Sequence, residues 1–210
     1  RMGGVALPVQ PPLEPMLAKA QATVPADEGV WSYEPKWDGF RALVFRDGDD
    51  VVLLSRSGKD LGRYFPEVID AVRDELAPRC VLDGEIVVPR EIAGRTRLDW
   101  ESLSQRIHPA ESRISMLAEQ TPAHFIGFDA LALDDASLMR EPFRDRREAL
   151  RESVAEKQWC HLTRTTEDPE LATRWLAEFE GAGLDGVIAK RLGGTYSPGK
   201  REMVKIKHHR

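Results

Sequence analysis

The chain has 210 residues, enough for one large domain or two small ones, and its hydrophobic fraction of 41% supplies an ordinary globular core. It contains no run of about 18 apolar residues, and no basic start followed by an apolar stretch, so neither a membrane span nor a secretory signal is expected. The formal net charge of −5 argues against a generic basic nucleic-acid coat. Cys80 and Cys160 lie far apart and outside any C-x-x-C pair, which fits two reduced thiols in a cytoplasmic protein rather than zinc ligands.

Residues 1–30 carry Pro8, Pro11, Pro12, Pro15 and Pro25. Proline fixes φ and removes a donor, so an extended lead-in with one short helical piece is predicted, its PMLAK stretch packed under the core. Residues 31–210 form the main domain. Lys36 then stands between Pro35 and an Asp38-Gly39 turn, at the mouth of a hairpin predicted over residues 40–47 and 51–56. FPEVIDAVRDEL places Phe65, Val68, Ile69, Val72 and Leu76 at helical spacing, with Pro66 suited to an early helical position. CVLDGEIVVP is predicted as a strand, LDWESLSQRI as a helix capped by Asp99, and AHFIGFDALAL as a buried strand. PFRDRREALRESV reads as a charged helix. DPELATRWLAEFEGAG is the clearest helix: Asp168 caps it, Pro169 opens it, Gly181 and Gly183 end it, and Leu171, Trp175, Leu176 and Phe179 form its buried stripe. DGVIAKR and MVKIK are short strands flanking the glycine-rich loop LGGTYSPGKRE. Strands and helices interleave, but the strand pairs look antiparallel, which makes the fold class α+β.

Four short elements share one design, a strand that ends in charged groups: Lys36-Trp37-Asp38-Gly39, Asp83-Gly84-Glu85, Asp185-Gly186 followed by Lys190, and Lys205-Ile206-Lys207. Each Asp-Gly alone is an ordinary turn. Converging on one cleft, the carboxylates would hold a divalent metal and the lysines would neutralise phosphate oxygens, as a metal–nucleotide ligand requires. The stretch from Lys190 to Arg210 adds seven Lys/Arg against one acid, Glu202, with His208 and His209 besides, which suits phosphate or merely a solvated end. LGGTYSPGKRE does not match G-x-x-x-x-G-K-[ST], so no P-loop is present.

KWDG matches the K-x-D-G signature of the covalent nucleotidyltransferases, a family of ATP-dependent DNA ligases, RNA ligases and mRNA capping enzymes. SRSGKD, LDGEIV, FIGFDAL, LDGVIAKR and MVKIK follow in the family's order, and LPVQPPLEPMLAK, EPKWDGFR, RYFPE and QRIHPA resemble the ligase C group of bacterial ATP-dependent DNA ligases. The resemblance implies an antiparallel-sheet, ATP-grasp-like nucleotidyltransferase (adenylation) fold. It implies Lys36 as the nucleophile that attacks the ATP α-phosphorus, expels pyrophosphate and becomes lysyl–AMP. A lysine attacks only when deprotonated, and a free one near pKa 10.4 is rarely so at neutral pH; desolvation and nearby cations, a metal, Lys205 and Lys207, would favour the free amine. The AMP would then pass to the 5′-phosphate of nicked double-stranded DNA for sealing in repair or replication.

By the same resemblance Glu34 contacts the adenine amino group, and Arg41 the ribose or DNA end. Arg56 lies near ribose and phosphates, Glu85 binds ribose or metal, and Phe128 stacks on adenine. Lys190, Lys205 and Lys207 are phosphate ligands. Asp185 stands where many relatives have glutamate, and with Glu85 it is expected to hold Mg2+ or Mn2+, in part through water. The family's OB-fold domain and its final motif do not follow KIKHHR, so this piece is expected to bind ATP or hold AMP, monomeric, yet to start from ATP and seal nicks poorly. A guanylyltransferase or RNA ligase, and a non-catalytic nucleic-acid module with an inert Lys36, are the alternative functions.

Overall fold

Strand Trp31–Lys36 (β2) carries Lys36 as its last residue, and the architecture is best followed outward from it. The structure, a computed structural model, describes residues 6–107, 109–180, 182 and 184–207. His108, Gly181, Gly183, His208, His209 and Arg210, named above in motifs, a helix end or the basic tail, lie outside the described residues.

β2 is one edge of a four-stranded sheet. It pairs antiparallel with Gly186–Arg191 (β11), which pairs antiparallel with Arg201–Lys207 (β12). On the far side of β12 lies Leu17–Ala20 (β1), and this pairing is parallel. The predicted short helical piece is therefore corrected: among the described residues of the lead-in there is a strand and no helix. Clustered prolines suit extended chain, and an edge strand tolerates them because half of its donors face no partner. Leu7, Val9 and Met16 are buried, so the lead-in does pack on the core.

The larger sheet runs β10-β8-β5-β3-β4, where β3 is Phe40–Asp47, β4 Asp50–Ser55, β5 Arg79–Val87, β8 His124–Leu133 and β10 Cys160–Leu162; β9, Ala136–Ser137, hangs on β8. Its strands are antiparallel except for β10, which runs parallel to β8. Pro89–Ile92 (β6) and Arg95–Leu98 (β7) make a separate two-stranded ribbon. Among the described residues five α-helices complete the fold: α1, Pro66–Glu75; α2, Trp100–Ser104; α3, Glu111–Gln120; α4, Phe143–Ser153; and α5, Pro169–Glu180. Among the described residues no helix is long and apolar enough to cross a membrane.

The two expected N-caps are found. Asp99 Oδ1 accepts from Ser102 N at 3.0 Å to start α2, and Asp168 Oδ1 accepts from Glu170 N at 2.9 Å to start α5. α1 packs Val68, Ala71 and Val72 onto one face of the larger sheet, together with Leu150 and Val154 from α4 and its exit. α5 packs Ala172, Trp175 and Phe179 against Trp31, Tyr33, Val187 and Ile206 of the smaller sheet. Each large side chain so buried contributes ~1.5–3 kcal/mol. Leu43, Phe45, Val81 and Leu131 meet the lead-in, Tyr196 and Met203 in a third cluster that joins the two sheets.

Arg146 on α4 is buried against Asp129 of β8, with Nε–Oδ1 at 2.8 Å, and its NH1 donates to the carbonyls of Glu141 and Gly194. One cation thus bolts α4, β8 and the loop before β12.

Candidate active site

Alternation along β2 sends Trp31, Tyr33 and Pro35 to the α5 side and leaves Ser32, Glu34 and Lys36 on the other face. Cross-strand register extends that second face across the smaller sheet. Lys36 lies opposite Gly186 and then Lys207; Glu34 lies opposite Ile188 and then Lys205. The same face therefore collects the lysines and the acid singled out in the sequence.

The larger sheet supplies the opposing wall. Arg41 on β3 lies opposite Glu85 on β5. Between β5 and β8 the register slips by one residue after Asp83, so Gly84 faces Gly127 and Phe128 is the extra residue of a bulge. A bulge re-aims its side chain, and Phe128 points into the gap between the sheets. The gap is a cleft of about 740 Å3 lined by Glu34, Lys36, Arg41, Arg56, Glu85, Phe128, Lys190 and Lys205, among others. That size lies inside the usual ~300–1,000 Å3 of a small-ligand site.

Lys36 Nζ is 2.6 Å from Asp185 Oδ2, and Lys207 Nζ lies 3.7 Å from the same oxygen. The backbone locks this corner: Asp185 N donates to Lys36 O at 3.0 Å. Trp37 Nε1 donates to Thr163 Oγ1 at 2.9 Å, which fixes the residue after the lysine. Asp38 is pushed above the usual carboxylate range by burial and by Asp185, with Lys36 and Lys207 opposing. Lys205 titrates below an ordinary lysine, first through burial and then because Lys207, Lys36, Arg201 and Arg56 crowd it with positive charge. One end of the cleft is therefore a cluster of cations around Lys36.

The other end differs. Glu34 is buried, and burial raises its pKa against the pull of Lys190. Its Oε1 lies 3.0 Å from Lys190 Nζ but without hydrogen-bond geometry, so the oxygen lacks a donor. Lys190 donates to Phe128 O at 2.7 Å, and its ammonium lies 4.7 Å from the Phe128 ring centroid and 4.8 Å from that of Phe143. Lys190 thus sits with Glu34 and Phe128 rather than in the cation cluster.

Arg41 holds Asp83 through two 2.7 Å bonds and donates to Met16 O at 2.8 Å; Tyr196 Oη donates to Asp83 Oδ2 at 2.7 Å and accepts from Met16 N at 2.9 Å. This network ties the lead-in to the cleft floor. Sequence reasoning missed Tyr196 and Asp83 as its partners, and the nearest signal was Asp83 inside LDGEIV. Arg201, counted above only in the basic tail, also lines the cleft.

Glu85 accepts a hydrogen bond from Gly39 N at 3.1 Å, and burial pushes its pKa up to about 7 despite Arg41. A buried carboxyl so poorly compensated fits a cation. Among the described residues no three or more His, Cys, Asp or Glu gather as a ready-made metal cage. Magnesium seldom needs one, since it keeps waters and takes one or two carboxylates together with substrate phosphates. Glu85 in the cleft wall is a carboxylate of that kind, and Asp185 stands beside Lys36.

Residues 15–207 match the model of the ATP dependent DNA ligase domain family. The chain is 80% identical over 204 residues to DNA ligase C1 of Mycolicibacterium smegmatis, covering 97% of this chain and 59% of that protein. It is 54% identical over 209 residues to DNA ligase C of Mycobacterium tuberculosis, covering 97% of this chain and 56% of the other. The chain thus spans less than two thirds of the length of these relatives. Among solved structures it resembles the ligase domain of M. tuberculosis LigD, with a TM-score of 0.67 at 32% identity over 93% of this chain and 59% of that one. A mycobacterial DNA ligase D complexed with ATP and MES gives a TM-score of 0.68 at 30% identity, over 94% of this chain and 61% of the other. The expected α+β nucleotidyltransferase fold is the one found.

Proposed function

Because the chain belongs to the ATP-dependent DNA ligase domain family, we propose that it is the part of a ligase that loads AMP onto Lys36 and presents it to nicked double-stranded DNA. The observation that carries this reading is the two-ended cleft: one amine, Lys36, stands where a cation cluster meets a buried acid and an aromatic ring.

Adenine would enter toward Phe128 and Glu34. Stacking on the ring is worth roughly 1–3 kcal/mol, and the unfilled Glu34 Oε1 is an acceptor suited to the exocyclic amino group. Arg41 and Glu85 lie along the wall where the ribose would pass. The triphosphate would lie against Lys205, Lys207, Arg56 and Arg201, each a donor to phosphate oxygens. Lys190, a phosphate ligand by resemblance, lies 3.0 Å from Glu34 Oε1, where it partly offsets the effect of burial on that carboxyl.

In the first step the lone pair of Lys36 Nζ forms a bond to the α-phosphorus, and the bond to the β-phosphate oxygen breaks, releasing pyrophosphate. The ammonium must shed a proton to water first; the 2.6 Å ion pair with Asp185 favours the charged form, and Lys205, Lys207 and a metal drawing on Asp185 would oppose it. The strand end, Asp185 N on Lys36 O, and the Trp37–Thr163 bond hold the amine in place, which is what in-line attack demands. Glu85 and Asp185 would hold Mg2+ or Mn2+, which when bound neutralises phosphate charge. A 5′-phosphate would next take the AMP, and a 3′-hydroxyl would displace it to join the strands. An OB-fold domain is the partner proposed to close over the cleft and speed loading.

The test is transfer of α-labelled nucleotide to the chain in the presence of Mg2+, read on a denaturing gel. Label from ATP on the wild-type chain, little from GTP, and none on Lys36→Ala is the expected result. Preferential labelling by GTP would make it a guanylyltransferase, and label retained by Lys36→Ala would overturn the choice of nucleophile.

A further inference from the structure

The β6–β7 ribbon stands apart from both large sheets, and its two faces differ sharply. Register pairs Arg90 with Arg97 and Ile92 with Arg95, so these four share one face; Glu91 and Thr96, with Pro89 and Leu98, occupy the other. Three arginines and an isoleucine that is 55% exposed thus form one surface, and the ribbon's single acid points away from it.

Like charges directly opposite in a sheet are destabilising. Arg90 and Arg97 are such a pair, in a chain whose net charge is −5 and whose acids outnumber its bases. Arg90 reaches Asp99 Oδ2 at 2.8 Å, but Arg95 and Arg97 have no ion-pair partner among the described residues. The ribbon turns at Ala93 and Gly94, both at positive φ (53° and 77°), so a non-glycine residue holds a left-handed turn to close it. Among the described residues only the Arg90–Asp99 pair offsets this arrangement, and an external polyanion would offset the rest.

The ribbon is also placed at the cleft. Asp99 N donates to Val88 O at 2.7 Å and closes its base, and Leu98 N donates to Ala182 O at 3.3 Å. Trp100, the next residue, sets its ring edge-on to Phe40 at 5.5 Å, and Phe40 lines the cleft. A strand of four residues spans ~13 Å. Each strand of duplex DNA carries a phosphate about every 3.4 Å of helix axis, so the arginine face matches a short run of backbone.

We propose that the Arg90–Arg95–Arg97 face of the β6–β7 ribbon docks on the phosphate backbone of duplex DNA beside the break whose end enters the cleft. The proposal rests on the ligase reading above and adds a second contact surface outside the nucleotide site. Arginine contacts of this kind position the duplex without reading its sequence. The apolar Ile92 between them covers sugar surface.

The experiment compares the wild-type chain, Arg95→Ala/Arg97→Ala and the opposite-face Thr96→Ala for binding to a labelled nicked duplex by fluorescence anisotropy across a salt series. AMP loading from ATP is measured on each. Arg90 is left in place because it contacts Asp99, the cap of α2. The double variant is expected to bind roughly tenfold more weakly at low salt and to lower the slope of log K against log salt by about 2, one per lost phosphate contact. Its AMP loading and far-UV spectrum stay as in the wild type, and Thr96→Ala leaves the slope unchanged. An unaltered slope in the double variant, or a wild-type chain that binds single-stranded RNA but not the duplex, overturns the ribbon's role while AMP loading still stands. Loading from ATP is expected to be slow, so it is read after long incubation at saturating ATP and Mg2+; its absence there in every chain overturns the ligase reading instead.

Discussion

Lys36 was legible in the sequence because an ammonium between proline and an Asp-Gly turn fits neither a buried strand nor a free loop. What the sequence could not show was its environment, since Asp185 lies 149 residues away and meets it only through the β2–β11 pairing. Lys190 illustrates the reverse. Its motif suggested a phosphate ligand, but alternation on β11 and the bulge at Phe128 bring it to Glu34 and the Phe128 carbonyl. Two histidines escaped notice altogether. His124 Nδ1 and His161 Nε2 are 2.8 Å apart, with Trp159 edge-on to His124. Burial, then the neighbouring His161, pulls the His124 pKa down to about 4, and burial also lowers His161. Above about pH 6.5 both states carry neutral rings and the pair leaves stability unchanged with pH. Between about 6.5 and 4 the unfolded chain takes up protons that the folded one refuses, so stability falls as pH falls. Thermal melts from pH 7 to 4.5 should show this loss, and His124→Phe, which keeps the contact with Trp159, should show a shallower one. Equal slopes in the two chains would contradict the assignment.

Elements with one apolar face were readable, and those without were not. α1 and α5 announce themselves by buried residues at helical spacing and by Pro66, Pro169 and Asp168 at their starts. α3 buries only Ile114 and Leu117, too few for a stripe to stand out. β6 and β7 are exposed along nearly their whole length, so no alternation marks them. The two parallel pairings, β1 with β12 and β10 with β8, involve short strands that join the sheets from distant parts of the chain, where local pattern carries no information on direction. The glycine of LDGVIAKR is a sharper case. Gly186 has φ +146°, and a Cβ there would lie 2.0 Å from Ile206 O, a backbone atom that cannot step aside. Gly186→Ala should therefore destabilise the chain by ~1–3 kcal/mol or more and pull β11 from β12 beside Lys207. Denaturant titration would register the change, and a midpoint within error of wild type would show that the strands separate freely there.

At the scale of the whole molecule, two sheets with different jobs face each other. The smaller sheet carries Lys36, the proposed nucleophile, with Lys205 and Lys207, and the larger one carries Phe128, Arg41 and Glu85. The Arg41–Asp83–Tyr196–Met16 network and the buried Arg146–Asp129 pair fix their spacing. Breaking a buried pair of the second kind by removing one partner costs ~3–5 kcal/mol. Composition and motif order indicated an α+β fold and the residues of the cleft; the division of that cleft into a Glu34–Phe128 end and a cationic end required the strand register. The most direct measurement is the intact mass of the chain after incubation with ATP and Mg2+, followed by peptide mapping. A gain of a single AMP, located on residue 36 and absent from Lys36→Ala, is the predicted result. A chain whose mass does not change, or an adduct located on another lysine, would contradict the account.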